Sequence, residues 1–119
     1  MNRLRSARLG VSTLLLTALV ACAPAYRGEP ITGPLELGTS ALASGKQVFD
    51  ANCHQCHPGG AGGLGPSLND KPLPGSLIAY QVRHGLGAMP AFSPERLSDA
   101  QLDALVLYLE KLRSQSVKE

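Results

Sequence analysis

The stretch Cys53-His54-Gln55-Cys56-His57 determines how this chain is interpreted, because it places two thiols and an imidazole next to one another. The pattern is C-x-x-C-H, the attachment signature of a c-type haem. Two thiols at this spacing can each form a thioether bond with one of the two haem vinyl groups. The imidazole of His57 would then lie beneath the iron as the proximal ligand. We therefore expect one covalent haem c, attached through Cys53 and Cys56, with His54 facing away from the iron.

The same motif is compatible with two other kinds of site. Cys-x-x-Cys followed by His is part of a zinc ligand set, which His54 or His84 would have to complete. Cys-x-x-Cys is also a redox dithiol, as in thioredoxin-like chains that alternate strands and helices. The sequence contains no clear strand, so haem attachment is the preferred interpretation and the other two remain open.

The N-terminal 21 residues have the composition of an export signal. Three arginines precede an apolar stretch, residues 11–20, that is too short for an ordinary membrane span. Residues 19–22 read Leu-Val-Ala-Cys and resemble a lipobox, where bacterial lipoprotein signals are cut before a Cys. We expect residues 1–21 to be a lipoprotein-type signal and Cys22 to carry lipid. The alternative is an ordinary signal peptide with an incidental Cys.

Removal of the signal would change the charge balance of the chain. The full chain has 11 Lys and Arg against 9 Asp and Glu, and the signal holds three Arg and no acidic residue. The mature chain would have 8 basic and 9 acidic groups, a net charge of −1. No Lys/Arg cluster remains, which argues against nucleic acid as a partner.

The remainder divides into a tether, one domain and a short tail. Residues 22–39 are rich in Gly and Pro and lack apolar periodicity, which predicts a flexible tether. We expect the folded domain over residues 40–114 and a polar tail over 115–119. The chain has no Trp and few aromatic residues, so a buried haem would supplement a thin core.

Two long helices are predicted at the ends of the domain. The first runs from Ser40, its expected N-cap, to Asn52, and Gly45 would let another helix approach closely. The last begins at Ser98, whose capping box is completed by Gln101. Its apolar face is formed by Leu102, Leu105, Val106, Leu109 and Leu112, with Tyr108 at the border.

The segment between these helices carries two further candidate site residues. Residues 58–69 form a glycine-rich loop, in which the carbonyl of Pro66 would accept a hydrogen bond from His57 and fix its tautomer. A short helix is predicted over residues 74–84, with Leu77, Ile78 and Val82 inward and Gly85 at its end. Met89 follows in a Gly/Pro loop where no helix face requires it, which favours iron ligation over core packing.

These features together resemble the class I bacterial cytochromes c over about Leu42 to Leu112. The resemblance implies an all-α fold, with three to four helices wrapped around one haem. It implies His57 and Met89 as axial ligands, with His84 as a departure from the family pattern and a rival sixth ligand. The matching pieces are Gly45 and Phe49, Cys53 to His57, Gly65 to Leu68, Gly87 to Phe92, and Leu105 and Tyr108.

The resemblance implies one-electron transfer by Fe(II)/Fe(III) cycling between protein redox partners, and no enzymatic activity. Together with the lipobox, it predicts a membrane-tethered carrier in the bacterial cell envelope, with its haem domain in the periplasm or on the outer side. The alternatives are a haem subunit of a larger oxidoreductase and a gas-binding haem sensor. A di-haem peroxidase within this chain is excluded, because the chain has one C-x-x-C-H motif.

Overall fold

The computed structural model describes residues 35–116, and within this range the fold is all-α, as predicted. An isolated bridge between Leu86 and Met89 is the only extended pairing among these residues. The predicted signal, Cys22 and most of the predicted tether lie outside the described residues. The helices are α1 (Ser40–Asn52), α2 (Gly75–His84) and α3 (Asp99–Ser116), with a 3-10 turn at Pro58–Gly60.

The crossing of α1 and α3 is the main packing contact of the domain. A Cβ atom at Gly45 would overlap the carbonyl of Ala104 and lie 2.7 Å from the Cβ of Tyr108. One turn later, the rings of Phe49 and Tyr108 pack with their centroids 5.3 Å apart. The close approach predicted for Gly45 is therefore confirmed, and Tyr108 meets both Gly45 and Phe49 where the two helices cross.

The capping box of α3 forms as predicted. The backbone N–H of Ser98 donates to Oε1 of Gln101 at 2.9 Å, and the N–H of Gln101 donates to Oγ of Ser98 at 3.3 Å. Leu102, Leu105, Leu109 and Leu112 are all buried. The helix continues to Ser116, two residues beyond the predicted end of the domain.

Helix α2 packs against α3 through a narrower face than predicted. It begins at Gly75, with Pro74 as its N-cap. Val82 is buried and Ile78 is half-buried, but Leu77 is 43% exposed, so its inward placement was wrong. Ile78 and Val82 are one turn apart and set the packed face, whereas Leu77 lies about 100° around the helix from Ile78.

The start of the domain also differs from the prediction. Thr39, not Ser40, is the N-cap of α1, and its Oγ1 accepts a hydrogen bond from the N–H of Leu42 at 3.2 Å. Leu35 and Leu37, which were assigned to the tether, pack against the hydrophobic core. The folded unit therefore includes residues before Ser40. No helix within residues 35–116 has the length and apolarity needed to cross a membrane.

We predict that Gly45→Ala destabilises the protein although Ala is the better helix former. Helix propensity alone favours Ala by about 1 kcal/mol. The added methyl group would collide with the α3 backbone, and overpacking of this kind lowers the free energy of unfolding by about 1–3 kcal/mol. Denaturant unfolding measures the effect. Gln47→Ala on the exposed face of α1 is the control, and an equal or higher stability of Gly45→Ala would contradict the packing argument.

Candidate functional site

The C-x-x-C-H segment folds as a tight turn directly after α1. The N–H of Cys53 donates to the carbonyl of Phe49 at 2.8 Å and ends the helix. The carbonyl of Cys53 then accepts hydrogen bonds from Cys56 N–H at 3.1 Å and His57 N–H at 2.9 Å. Both thiols are free and half-buried, and His57 is buried. The turn thus brings the three predicted attachment and ligand residues together.

The imidazole of His57 is fixed by the carbonyl of Pro66. Nδ1 of His57 lies 2.7 Å from this oxygen, and the residue is 7% exposed. A carbonyl oxygen can only accept a hydrogen bond, so Nδ1 carries the proton and donates it. In the neutral ring, Nε2 is then left with its lone pair available for a metal. The predicted hydrogen bond between these residues is confirmed.

Gly65 allows the backbone of this loop to lie against the imidazole. A Cβ atom there would overlap Cε1 of His57 and lie 2.8 Å from both ring nitrogens. The N–H of Gly65 donates to the carbonyl of Cys56 at 2.9 Å, which ties the loop to the motif. The sequence analysis did not foresee this contact. Its only signal was the glycine before Pro66 in a glycine-rich loop.

The far side of the loop is also anchored. The carbonyl of Gly60 accepts hydrogen bonds from Leu68 N–H at 2.7 Å and Asn69 N–H at 3.2 Å. Oγ of Ser67, which is buried, donates to the carboxylate of Asp70 at 2.5 Å. This hydrogen bond holds the pKa of Asp70 below its ordinary value. Pro66 therefore sits in a segment that is fixed at both ends.

Met89 lies at the end of a tight turn after α2. The backbones of Leu86 and Met89 exchange two hydrogen bonds of 3.1 and 3.0 Å, with Gly87 at φ +58° in the first central position, as in a II′ turn. Gly85 ends α2 at φ +72°, where a Cβ would lie 2.5 Å from the carbonyl oxygen of Met89. Met89 is half-buried and packs against the same core as Cys53.

The other two histidines do not complete a metal site with the thiols. His84 is exposed, its ring stacks on Tyr80 with centroids 4.1 Å apart, and its Nδ1 lies 2.8 Å from the Tyr80 carbonyl. His54 is exposed, and its Nδ1 accepts the N–H of Gly59 at 3.2 Å. Among the described residues, no three His, Cys, Asp or Glu side chains form a cluster able to hold a metal ion. The zinc interpretation therefore has no structural support.

The redox-dithiol interpretation also lacks support. Burial raises the pKa of the Cys53 thiol to about 11, with a smaller contribution from the neighbouring Cys56. Reactive dithiols have a thiol whose pKa is lowered, because the thiolate is the nucleophile. Cys53 shows the opposite shift. No strand is present within residues 35–116 to build a strand–helix redox fold.

The donor groups at this site fit a c-type haem. Two free thiols three positions apart match the two vinyl groups, and His57 offers Nε2 because Nδ1 is engaged. The thioether of Met89 is a soft donor of the kind found as the second axial ligand in cytochromes c. Cys53, Leu68 and Met89 all border one hydrophobic core, which suits an apolar macrocycle.

Comparison with known proteins gives the same class. The family model described as cytochrome c oxidase, cbb3-type, subunit III matches residues 40–109. Cytochrome c6 of Bryopsis maxima is 45% identical over 59% of this chain and 90% of its own length. Chloroplastic cytochrome c6 of Chlamydomonas reinhardtii is 33% identical over 77% of this chain and 79% of its own.

A third relative is a cytochrome subunit of an enzyme. The cytochrome c subunit of 4-cresol dehydrogenase from Pseudomonas putida is 38% identical over 61% of this chain and 64% of its own length. The chain belongs to the c-type cytochromes. It carries covalently bound haem c and transfers single electrons, either as a mono-haem carrier or as the haem subunit of a complex.

We predict that Gly65→Ala lowers haem incorporation and disturbs iron ligation, although it adds only one methyl group. The new methyl group would push on the imidazole of His57 and weaken its hydrogen bond to Pro66. The fraction of polypeptide carrying haem, and the low-spin fraction of the iron, should both fall. Absorption of the purified protein measures the first and electron paramagnetic resonance the second. Gln47→Ala, on the exposed face of α1, is the control; equal behaviour of the two variants would refute the contact.

Proposed function

We propose that the haem of this chain is attached through Cys53 and Cys56 and ligated by His57 and Met89, and that the chain is a membrane-tethered electron carrier. The observation that carries the ligand assignment is the 2.7 Å hydrogen bond from His57 Nδ1 to the carbonyl of Pro66. It fixes the ring orientation and raises the basicity of the nitrogen that faces the metal. Pro66 is therefore a supporting residue of the cofactor site.

The second axial ligand determines which function the site can perform. The haem supplies a metal that changes between Fe(II) and Fe(III). A thioether stabilises Fe(II) and raises the reduction potential, which suits delivery to a high-potential acceptor. If His57 and Met89 both held the iron, no ligand position would be left for a substrate or a gas. This arrangement supports electron carriage without catalysis by this chain.

The partners are redox proteins that donate and accept one electron.

A second candidate role, the haem subunit of a larger oxidoreductase, is favoured by two comparisons. One relative is the cytochrome subunit of a dehydrogenase, and the family model describes an oxidase subunit. Purification of the native protein under mild conditions separates these roles. A stable, stoichiometric complex with a catalytic subunit would favour the second, whereas an isolated haem protein favours the free carrier.

The sequence before the domain supports a location at a membrane surface. Residues 19–22 resemble a lipobox, and Cys22 is not needed for haem attachment. Lipid on Cys22 would anchor the chain, and the Gly/Pro-rich segment that follows would act as the tether. The N-terminal segment also has the composition of an export signal, which directs a chain out of the cytoplasm. We therefore propose the periplasm or the outer cell surface.

We predict that Met89→Ala opens the iron while leaving the haem attached. Loss of the thioether should abolish the weak near-infrared absorption band of Met–iron(III) ligation, lower the reduction potential and admit carbon monoxide. Absorption spectroscopy and potentiometry measure these effects. His84→Ala is the matched control, because His84 is an exposed residue stacked on Tyr80. A wild type that lacks the band and admits carbon monoxide only after His84→Ala would reverse the assignment. Rapid carbon monoxide binding by the wild type would favour a gas sensor.

We predict that Cys22→Ser abolishes lipidation and releases the protein from membranes. The change removes the thiol to which the lipid would be attached. Labelling of growing cells with a radioactive fatty acid, followed by fractionation, tests this. The haem content should not change, since Cys53 and Cys56 are untouched. Persistence of label on the variant, or absence of lipid from the native protein, would sink the anchoring proposal.

A further inference from the structure

Arg83 lies near the end of α2, and its guanidinium donates hydrogen bonds to three acceptors outside this helix. Its Nη1 donates to the carbonyls of Phe92 at 3.0 Å and Leu97 at 2.6 Å, and its Nη2 donates to Asp99 Oδ1 at 2.6 Å. The side chain is only 17% exposed although it carries a charge. This arginine therefore joins α2 to the segment after Met89 and to the first residue of α3.

The loop that carries Met89 is attached to α2 on both sides of the methionine. On the upstream side, Gly85 N–H donates to the carbonyl of Gln81 at 2.7 Å. On the downstream side, Phe92 N–H donates to the carbonyl of Val82 at 2.9 Å. Arg83 adds the hydrogen bond to the carbonyl of Phe92, a residue that is itself buried. The short segment between these attachments determines where the sulfur of Met89 can lie.

We propose that Arg83 is a positioning residue for the sixth ligand, holding the Met89 loop in the conformation that keeps the thioether on the iron. This inference rests on the proposed ligation by Met89. The guanidinium is a rigid fork that serves several acceptors at once, and hydrogen bonds from charged donors are stronger than neutral ones. Without them, the downstream half of the loop would be held by its backbone hydrogen bond to α2 and by the buried ring of Phe92.

The two carbonyl contacts, rather than the ion pair, carry this effect. The side chain of Asp99 is 87% exposed, and ion pairs with such exposed groups contribute little. The carbonyls of Phe92 and Leu97 belong to the segment between Met89 and α3, so their hydrogen bonds hold the downstream end of the loop directly. A local opening of this loop would detach Met89 while α1 and α3 remain packed, because low-stability segments open without global unfolding.

A second arginine provides a matched control. Nη1 of Arg113 donates to the carbonyls of Lys71 at 3.2 Å and Leu73 at 2.8 Å. Arg113 and Arg83 each bind two loop carbonyls with one guanidinium. The carbonyls bound by Arg113 precede α2, whereas those bound by Arg83 follow Met89. Arg83→Gln and Arg113→Gln therefore remove the same charge and the same number of carbonyl hydrogen bonds from different loops.

The experiment measures the Met–iron bond separately from global stability in the haem-loaded protein. For each variant, the near-infrared Met–iron(III) band and the helical circular dichroism are followed during heating, and carbon monoxide binding to the reduced protein is timed. In Arg83→Gln, the band should disappear well below the unfolding temperature, and carbon monoxide should bind at least about tenfold faster than in wild type. In Arg113→Gln, both signals should shift together and carbon monoxide binding should stay near the wild-type rate.

Two further variants separate positioning from general destabilisation. Asp99→Asn removes only the exposed ion pair and should bind carbon monoxide at the wild-type rate. Arg83→Lys keeps the charge but not the fork, so its rate should lie between those of wild type and Arg83→Gln. If Arg83→Gln accumulates no haem-loaded protein, Arg83→Lys is compared with Arg113→Gln instead, and it should bind carbon monoxide faster.

The outcomes distinguish this inference from the proposed function. A wild type that lacks the near-infrared band and binds carbon monoxide rapidly would overturn the Met89 ligation itself. A wild type with the band, together with Arg83 variants that behave like Arg113→Gln, would overturn only the positioning role. Loss of the band in Arg83→Gln only at its unfolding temperature would also overturn the positioning role alone.

Discussion

The hydrogen bond from His57 to the carbonyl of Pro66 is the interaction on which the rest of the site depends. It is made at 2.7 Å by a buried ring. One nitrogen is committed to the protein, so the other keeps its lone pair available for a metal. This bond requires the loop to lie against the imidazole, which Gly65 permits because a side chain there would overlap the ring. It also requires Pro66 to be held still, which the anchoring of the loop at Gly60 and Cys56 achieves.

The crossing of α1 and α3 sets the position of the C-x-x-C-H turn. Gly45 allows α1 to approach the backbone of α3, and Phe49 then packs on Tyr108. The carbonyl of Phe49 accepts the hydrogen bond that ends α1 at Cys53. The position of the C-x-x-C-H turn therefore follows from the depth at which two helices meet. The glycine costs helix propensity, and the packing that it permits positions the turn proposed to attach the cofactor.

Much of this arrangement could be predicted because its determinants are local in sequence. The C-x-x-C-H spacing, the capping box at Ser98 and the Gly45–Phe49 face are patterns within five residues or about one helical turn. The N-cap of α1 was placed one residue late, since Thr39 and Ser40 both carry a hydroxyl and only the backbone conformation distinguishes them. The inward placement of Leu77 failed because α2 packs on α3 through a narrow face that periodicity alone does not define.

The contacts that were missed have no residue pattern of their own, whereas the Gly65-Pro66 step indicated the carbonyl that accepts from His57. Arg83 binds carbonyls nine and fourteen positions away, and carbonyl acceptors leave no signature in the side chains. The contact between Gly65 and the ring of His57 is of the same kind, as is the packing of Leu35 and Leu37 on the core. A sequence pattern reveals which groups need partners, whereas the fold determines which backbone oxygens supply them.

The central claim, that the Pro66 carbonyl orients the imidazole which holds the iron, is tested most directly by nuclear magnetic resonance of the reduced, haem-loaded protein. With isotope-labelled histidine, the account predicts one ring N–H at Nδ1 of His57. This proton should exchange slowly with solvent and show through-space contacts to Gly65 and Pro66, and Nε2 should carry no proton. A ring proton at Nε2, or an Nδ1 proton that exchanges as fast as one on an exposed imidazole, would contradict the account.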